Sequence, residues 1–301
     1  MPLARMALLP DRGVVRVAGP DAEKFLNGTI TADLSALARQ DAVHSALLTA
    51  QGKVLFEFFA LRAPGGALLL ETARDVADDL VKRLKMFMLR AKVEAENVSP
   101  TYEVAALWGG TPPAGPTRIV YADPRLPDLG WRMLAPVPPG FRADPGDVKG
   151  EAEWTTTEAY HAHRVALGVP EGGRDYAFGE TFPHEADLDL LHSVSFTKGC
   201  FIGQEVVSRM KHRGTARRRV VPVQGKAALT PGAAVMMGEV EIGRIGSVAG
   251  KRGLAMMRLD RAAEAAAKDE PLRAGGVDIR LGKPAWAAFE PASPGPTVGK
   301  G

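Results

Sequence analysis

The chain has 301 residues, 46% of them hydrophobic and 24% charged, an ordinary balance for a globular protein of two or three domains that buries its own core. Its one cysteine, Cys200, excludes an intrachain disulfide and any zinc or iron–sulfur centre built from this chain's thiols alone. The net charge of +3 is local: six basic residues and no acid lie between Arg209 and Arg219, so the chain carries one basic patch and is not a polybasic nucleic-acid binder throughout.

RGVVRVA at 12–18 alternates as a strand. Gly19-Pro20-Asp21 opens a short helix with Ala22, Phe25 and Leu26 on its apolar face and Gly28 at its end. HSALLTA, VLFEFFALR and ALLLE, parted by Gln51-Gly52-Lys53 and Gly65-Gly66, predict an antiparallel meander. Val76, Leu80, Leu84, Phe87 and Ala91 recur at helical spacing and predict a sheet-covering helix over 73–91, with Thr72 as N-cap. Asp75, Asp78 and Asp79 lead it and Lys82, Arg83, Lys85 and Arg90 follow, the polarity that suits a helix macrodipole. GGTPPAGPT and APVPPGFRADPGD read as connections, with strands TRIVYAD and WRMLA between them. The capping box Thr155-x-x-Glu158 starts a second helix that stops at Gly168. Its His161 and His163, two apart, fall on different faces, so no metal site is expected from them. From Arg218 on, short apolar strands between glycines predict a small all-β module, followed by a disordered tail at 291–301.

Residues 168–214 hold most of the chemistry. Lys198-Gly199-Cys200-Phe201-Ile202-Gly203-Gln204-Glu205 sets the only thiol between two glycines, just ahead of the amphipathic segment QEVVSRMKHR. A helix N-terminus and a nearby lysine both favour a thiolate, and glycines at 199 and 203 allow a ligand to approach the backbone. The bland reading, a small buried thiol, stays open at this point. So does a nucleophile–base pair of Cys200 with His184 or His192. Glu185, in Phe182-Pro183-His184-Glu185, is either a solvated loop carboxylate or an acceptor for a planar pair of donors, such as the 2-amino-4-oxo edge of a pterin or a guanidinium.

GVPE, then P-x-E-x-x-L-D, then V-S-F-x-K-G-C-F-x-G-Q-E and a basic helix end resemble the YgfZ family of folate-binding proteins, relatives of the glycine cleavage T-protein (aminomethyltransferase). The opening LPDRGVVRVAGPDAEKFLNGTITADL is similar to that family's as well, and the likeness runs over most of 8–260. The resemblance implies an α+β, three-domain aminomethyltransferase-like clover leaf around a central folate cavity, with a small C-terminal β-barrel. It places a discontinuous folate-binding domain at 1–48 plus 150–215, a middle α+β domain at 49–149 and the barrel at 216–290. It implies tetrahydrofolate or a one-carbon derivative as cofactor, with Glu185 facing the pterin, Gly199, Gly203, Gln204 and Glu205 around it, and Arg209 near the glutamate tail. It further implies an accessory role in assembly or repair of iron–sulfur clusters, with Cys200 and Lys198 as the functional motif and iron–sulfur client proteins or assembly factors as partners.

Two departures stand out: Phe201 replaces a commoner tyrosine, and Asp187 a commoner asparagine. The alternative is a folate-dependent aminomethyltransferase or demethylase, which needs an acid beside pterin N5; Asp78 is the nearest candidate, and helix capping explains it equally well. Neither a membrane nor a nucleic-acid partner is expected. MPLARMALLP lacks a signal peptide's apolar core, and patterned sequence by Val14 leaves no room for a transit peptide, so a cytoplasmic location is expected.

Overall fold

The structure, a computed structural model, describes residues 3–113, 115, 118–137, 152–213 and 216–291. Its contacts divide into two units. One holds Met1–Ala50, Leu55–Tyr160 and Leu191–Gln204; the other holds Gln51–Val54, His161–Leu190 and Glu205–Gly301.

The first unit runs β1 (Ala4–Leu8), β2 (Arg12–Ala18), α1 (Ala22–Asn27), β3 (Ala42–Leu48), β4 (Val54–Arg62), β5 (Leu68–Ala73), α2 (Ala77–Phe87), β6 (Glu94–Asn97), β7 (Tyr102–Trp108), β8 (Ile119–Ala122), β9 (Trp131–Pro136), β10 (Ala152–Trp154) and the start of α3 (Thr157–Leu167). The strands form two five-stranded sheets, ordered β3-β4-β5-β2-β6 and β10-β1-β7-β9-β8. In the first sheet β2 pairs antiparallel with β5, from Arg12 opposite Ala73 to Val17 opposite Leu68.

One face of that sheet packs Val15, Phe58 and Leu70 against Leu26 of α1 and Leu80 and Leu84 of α2. The other packs Phe59, Leu61 and Leu69 against Val104, Ala106 and Leu134 of the second sheet. Sheets covered on both faces need apolar residues at nearly every position, which is why β3 and most of β4 are buried throughout.

Charges are buried between the two sheets as well. Glu71, fully enclosed on β5, accepts from Arg12 Nε at 2.8 Å, from Arg132 Nη1 at 2.8 Å and from the Tyr121 hydroxyl. Arg132 also donates to the Tyr160 hydroxyl at 2.9 Å, and Arg125 grips Asp123 with two bonds of 3.0 and 2.8 Å.

The second unit is built on a closed barrel, ordered β11 (Arg218–Gly225), β14 (Arg252–Arg258), β13 (Val240–Ala249), β12 (Ala234–Met237), β15 (Leu272–Ala274) and β16 (Val277–Leu281). Closure leaves no unpaired edge. Its interior is Val221, Val223, Val235, Ile242, Ile245, Met257 and Ile279. Helices α4 (Gln204–Arg213) and α5 (Leu259–Ala267) complete it. Buried Arg164 of α3 donates to Asp175 Oδ2 at 2.6 Å, to Val169 O at 2.7 Å and to Ser247 Oγ on β13 at 2.7 Å.

Several expectations are corrected. Thr72 is no helix cap; it lies in β5 and donates to Glu57 O at 2.9 Å, while a 3-10 turn at Arg74–Val76 leads into a shorter α2. The cap of α3 is Thr156, whose Oγ1 accepts from Ala159 N, because Thr155 N is already held by Met6 O. The barrel module is not all-β: Leu259–Ala267 is an alanine-rich helix of about two and a half turns that the glycine-to-glycine reading passed over. Residues 114, 116, 117 and 138–147 of the two connections, and the tail after 291, lie outside the described residues.

Candidate functional site

Lys198 fixes the motif segment in the first unit. Its Nζ donates to Asn27 O at 2.7 Å, Ile30 O at 2.6 Å and Ala32 O at 2.7 Å. An ammonium has three protons and no acceptor, so this tripod occupies it fully. Burial pulls Lys198 down to about 8, opposed by Asp33. The loop after α1 turns three carbonyls to one point because Thr29 closes the helix by donating back to Leu26 O.

Beside the tripod runs a chain of hydroxyls. Thr31 Oγ1 donates to Ser193 O at 2.6 Å and accepts from Ala46 N at 2.9 Å. Ser45 Oγ accepts from Ala32 N, and Ser195 N donates to Thr31 O, both at 2.9 Å. Ser193 Oγ donates to Leu191 O at 3.0 Å, so the 2.6 Å contact with His44 Nδ1 assigns that ring proton to the histidine side. Burial holds His44 well below its usual range, with Arg125, Arg12 and Arg132 adding to the effect, so the ring is neutral. Thr31 and Ser193 lie in loops and His44 and Ser45 in β3, and no short-range spacing joins the four.

The segment leaves this anchorage with its thiol outward. Lys198 lies 5.2 Å from the centre of the Phe201 ring, which is buried, and Ile202 packs on the first unit's core. Between these anchors Gly199 and Cys200 are exposed. A Cβ at Gly199 would meet nothing within 4 Å, so packing does not require that glycine; Gly203, at φ +79°, has the backbone that does.

In the second unit Glu185 is nearly buried. Its Oε1 accepts from Arg218 Nε at 2.9 Å; its Oε2 accepts from Arg218 Nη2 at 3.2 Å and from Phe182 N at 3.0 Å. A planar donor pair on this carboxylate was one of the two sequence readings, and the donor here is a guanidinium. Arg218 also lines a cavity of about 630 Å³ with Arg174, Tyr176, Glu180, Arg244 and Arg258.

Beneath it Arg219 Nη1 donates to His184 O, Asp187 Oδ1 and Asp189 Oδ1, and Nη2 to Asp189 Oδ2, at 2.7–3.0 Å. One guanidinium thus serves two carboxylates. Asp189 takes the bidentate share. Burial drives Asp187 up to about 8 against the pull of Arg219, and Asp189 adds to the rise. Desolvation lowers His184, helped by Arg219 and Lys211 and opposed by Asp189 and Glu185.

The sequence-derived site residues therefore fall in separate settings. Lys198, Gly199, Cys200, Gly203 and Gln204 belong to the first unit; Glu185, Glu205 and Arg209 belong to the second. Glu205 and Arg209 are exposed on α4 and pair with each other at 2.5 Å. Asp78 accepts from Asn97 Nδ2 at 2.9 Å on the surface, as a structural residue would.

Residues 217–289, the barrel, match the family model for the CAF17 C-terminal beta-barrel domain. The human iron–sulfur cluster assembly factor IBA57, mitochondrial, is 34% identical over 83% of this chain and 76% of its own length. Its mouse counterpart is 33% identical with the same coverage. An IBA57 homolog of Mycosarcoma maydis is 33% identical over 75% of this chain, which spans only 59% of it; for the Neurospora crassa homolog the share is 53%. The crystal structure of glycine cleavage system aminomethyltransferase T from Bartonella henselae superposes with a TM-score of 0.72 over 97% of this chain and 88% of that one. At 15% identity that likeness is one of fold: an aminomethyltransferase-like α+β protein with a C-terminal barrel. The relatives carry the name IBA57 where the motif suggested YgfZ. They are also named mitochondrial, which overturns the cytoplasmic expectation; that expectation rested on the residues ahead of Val14, and a globular fold carries no signal of compartment.

Proposed function

Because the chain belongs to the IBA57 family of iron–sulfur cluster assembly factors, we propose that it takes part in building iron–sulfur clusters, with the Cys200 thiolate as one ligand of a cluster shared with a partner protein or glutathione. The observation that supports this is the exposed thiol between two anchors, the Lys198 tripod and the buried Phe201 ring. A cluster needs several thiolates, and one chain with one cysteine supplies one. Lys198 in this reading is a positioning residue. The cluster is cargo, and the clients are iron–sulfur enzymes.

The YgfZ-like motif adds tetrahydrofolate, or a one-carbon derivative, to the proposal. The donor chemistry of Glu185 fits: a nearly buried carboxylate already engaged by a planar pair of N–H groups accepts a pterin edge by the same two bonds. Arg218 is then the pterin's competitor for those oxygens. Glu205 and Arg209, in the same unit as Glu185, stay assigned to the folate side; Gly199, Gly203 and Gln204 stay with the thiol segment. Bound folate would supply a redox-active, one-carbon-carrying pterin; the chain's own part is to orient it.

Two experiments test this. Anaerobic addition of ferric iron, sulfide and glutathione, followed by gel filtration, is expected to leave thiolate-to-iron absorption on the wild-type protein and not on Cys200→Ser; equal absorption in the two protein fractions would refute the ligand role. Calorimetry is expected to show tetrahydrofolate binding of about −8 kcal/mol, near micromolar, lost in Glu185→Ala. No binding to the wild type would remove folate and leave the thiol proposal standing.

A further inference from the structure

We propose that the outward face of α2 and the turn after it form a docking surface for an anionic lipid bilayer, which revises the expectation of no membrane partner. The helix has two faces. Leu80, Val81 and Leu84 are buried, with Phe87 and Met88 packed beside them. Lys82, Lys85 and Met86 stand at i, i+3 and i+4 on the opposite stripe, Leu89 follows in the turn after the helix, and all four are exposed. Met86 is 64% exposed and Leu89 93%, two of the few large apolar side chains left bare among the described residues.

Leu89 is not there for the fold. It sits at φ +22°, a conformation that glycine holds at no steric cost and a leucine does not. Its side chain touches so little protein that the strain is not repaid by packing. A strained, bare leucine is a residue kept for a contact made outside the chain.

The charge around it says what that contact is. From Lys82 to Lys92 there are five cations, Lys82, Arg83, Lys85, Arg90 and Lys92, and no acid. Within the chain Lys82 is drawn to Asp79 at 2.9 Å. A protein partner is selected by mixed signs and by pockets that fix a register. Here Asp79 answers Lys82, but from Arg83 to Lys92 the sign is uniform, and Met86 and Leu89 are bare apolar side chains. A laterally featureless anionic surface fits both facts: Met86 and Leu89 enter the acyl boundary while the lysine and arginine heads stay at the phosphates. No helix among the described residues is long and apolar enough to span a membrane.

The test is co-sedimentation of the full chain with phosphatidylcholine vesicles, with and without a phosphatidylserine fraction. Binding is expected only with the anionic lipid and is expected to fall away at about 0.5 M salt, where the screening length approaches the size of an ion pair. Each cation contributes about fivefold near such a surface, so Lys85→Gln with Arg90→Gln is expected to weaken partitioning about 25-fold. Met86→Ser with Leu89→Ser is expected to weaken it at least tenfold, with circular dichroism unchanged, since neither side chain packs on the core. No binding to anionic vesicles, equal binding to neutral ones, or full binding by these variants would overturn the proposal. Sedimentation velocity showing a dimer that Leu89→Ser dissolves, with no vesicle binding, would overturn it in favour of a second copy of the chain.

Discussion

Replacing Lys198 with methionine keeps the length and apolar stem of the side chain and removes the ammonium. Three carbonyl oxygens, of Asn27, Ile30 and Ala32, then lose a charged donor at 2.6–2.7 Å. Hydrogen bonds to charged groups are worth about 1.5–3 kcal/mol each at full burial. The site is only part-buried, so water replaces some of them, and the ammonium's own desolvation, visible in its fall to about 8, is relieved in the variant. Together these leave a net loss of about 2 kcal/mol, which is local to the loop after α1 and the segment 193–198. The assay is native-state hydrogen exchange at two reporters, Thr31 N–H bonded to Ala46 O and Ser195 N–H bonded to Thr31 O. About thirtyfold faster exchange at both is expected in Lys198→Met, and no change in Cys200→Ser. Unchanged protection in Lys198→Met would refute the tripod as the anchor of the motif, and with it the idea that Lys198 acts by position.

Two further outcomes are expected. Asp187, raised by burial to about 8 in the fold and near 3.8 when unfolded, keeps a proton between those values that the unfolded chain has lost. Stability therefore falls as pH rises from 4 to 8, by up to about 1.4 kcal/mol per unit. Asp187→Asn is expected to flatten that slope and to be the more stable protein above pH 8; urea midpoints at several pH values check it, and parallel curves would count against a protonated Asp187. Glu71→Gln leaves Arg12 and Arg132 buried with their shared charge gone, and is expected to cost about 3–5 kcal/mol in urea unfolding; a loss under 1 kcal/mol would mean that water reaches the space between the sheets.

The fold was legible wherever a local pattern repeats. The alternation of 12–18, the meander of 44–71 and the helix-spaced run from Val76 to Leu84 each specify one face to bury, and the strands and α2 followed. Boundaries failed where a tertiary bond outbids a local one, as when Met6 O takes Thr155 N and moves the cap of α3 to Thr156. The motif from Lys198 to Glu205 announced a site, yet it did not reveal what Lys198 touches, because its three acceptors are main-chain atoms over 160 positions away that no side-chain code can mark. For Glu185 an acceptor of paired donors was one of two readings, the other a solvated loop carboxylate, and Arg218 was within the basic stretch already singled out; nothing in the spacing joined the two. The buried ions around Glu71 were silent for a simpler reason. In an alternating strand a charged residue reads as facing water.

The exposed, solitary thiol has a consequence for handling and for the cell alike. With no second cysteine in the chain, Cys200 cannot be shielded by closing an internal disulfide. Each of its oxidised forms ends elsewhere: joined to another copy, capped by a small thiol such as glutathione, or advanced to the sulfinic acid that most cells do not reverse. Its working lifetime is set by the reducing power of its surroundings, and preparations made without a reductant will accumulate covalent dimers that the fold itself does not require.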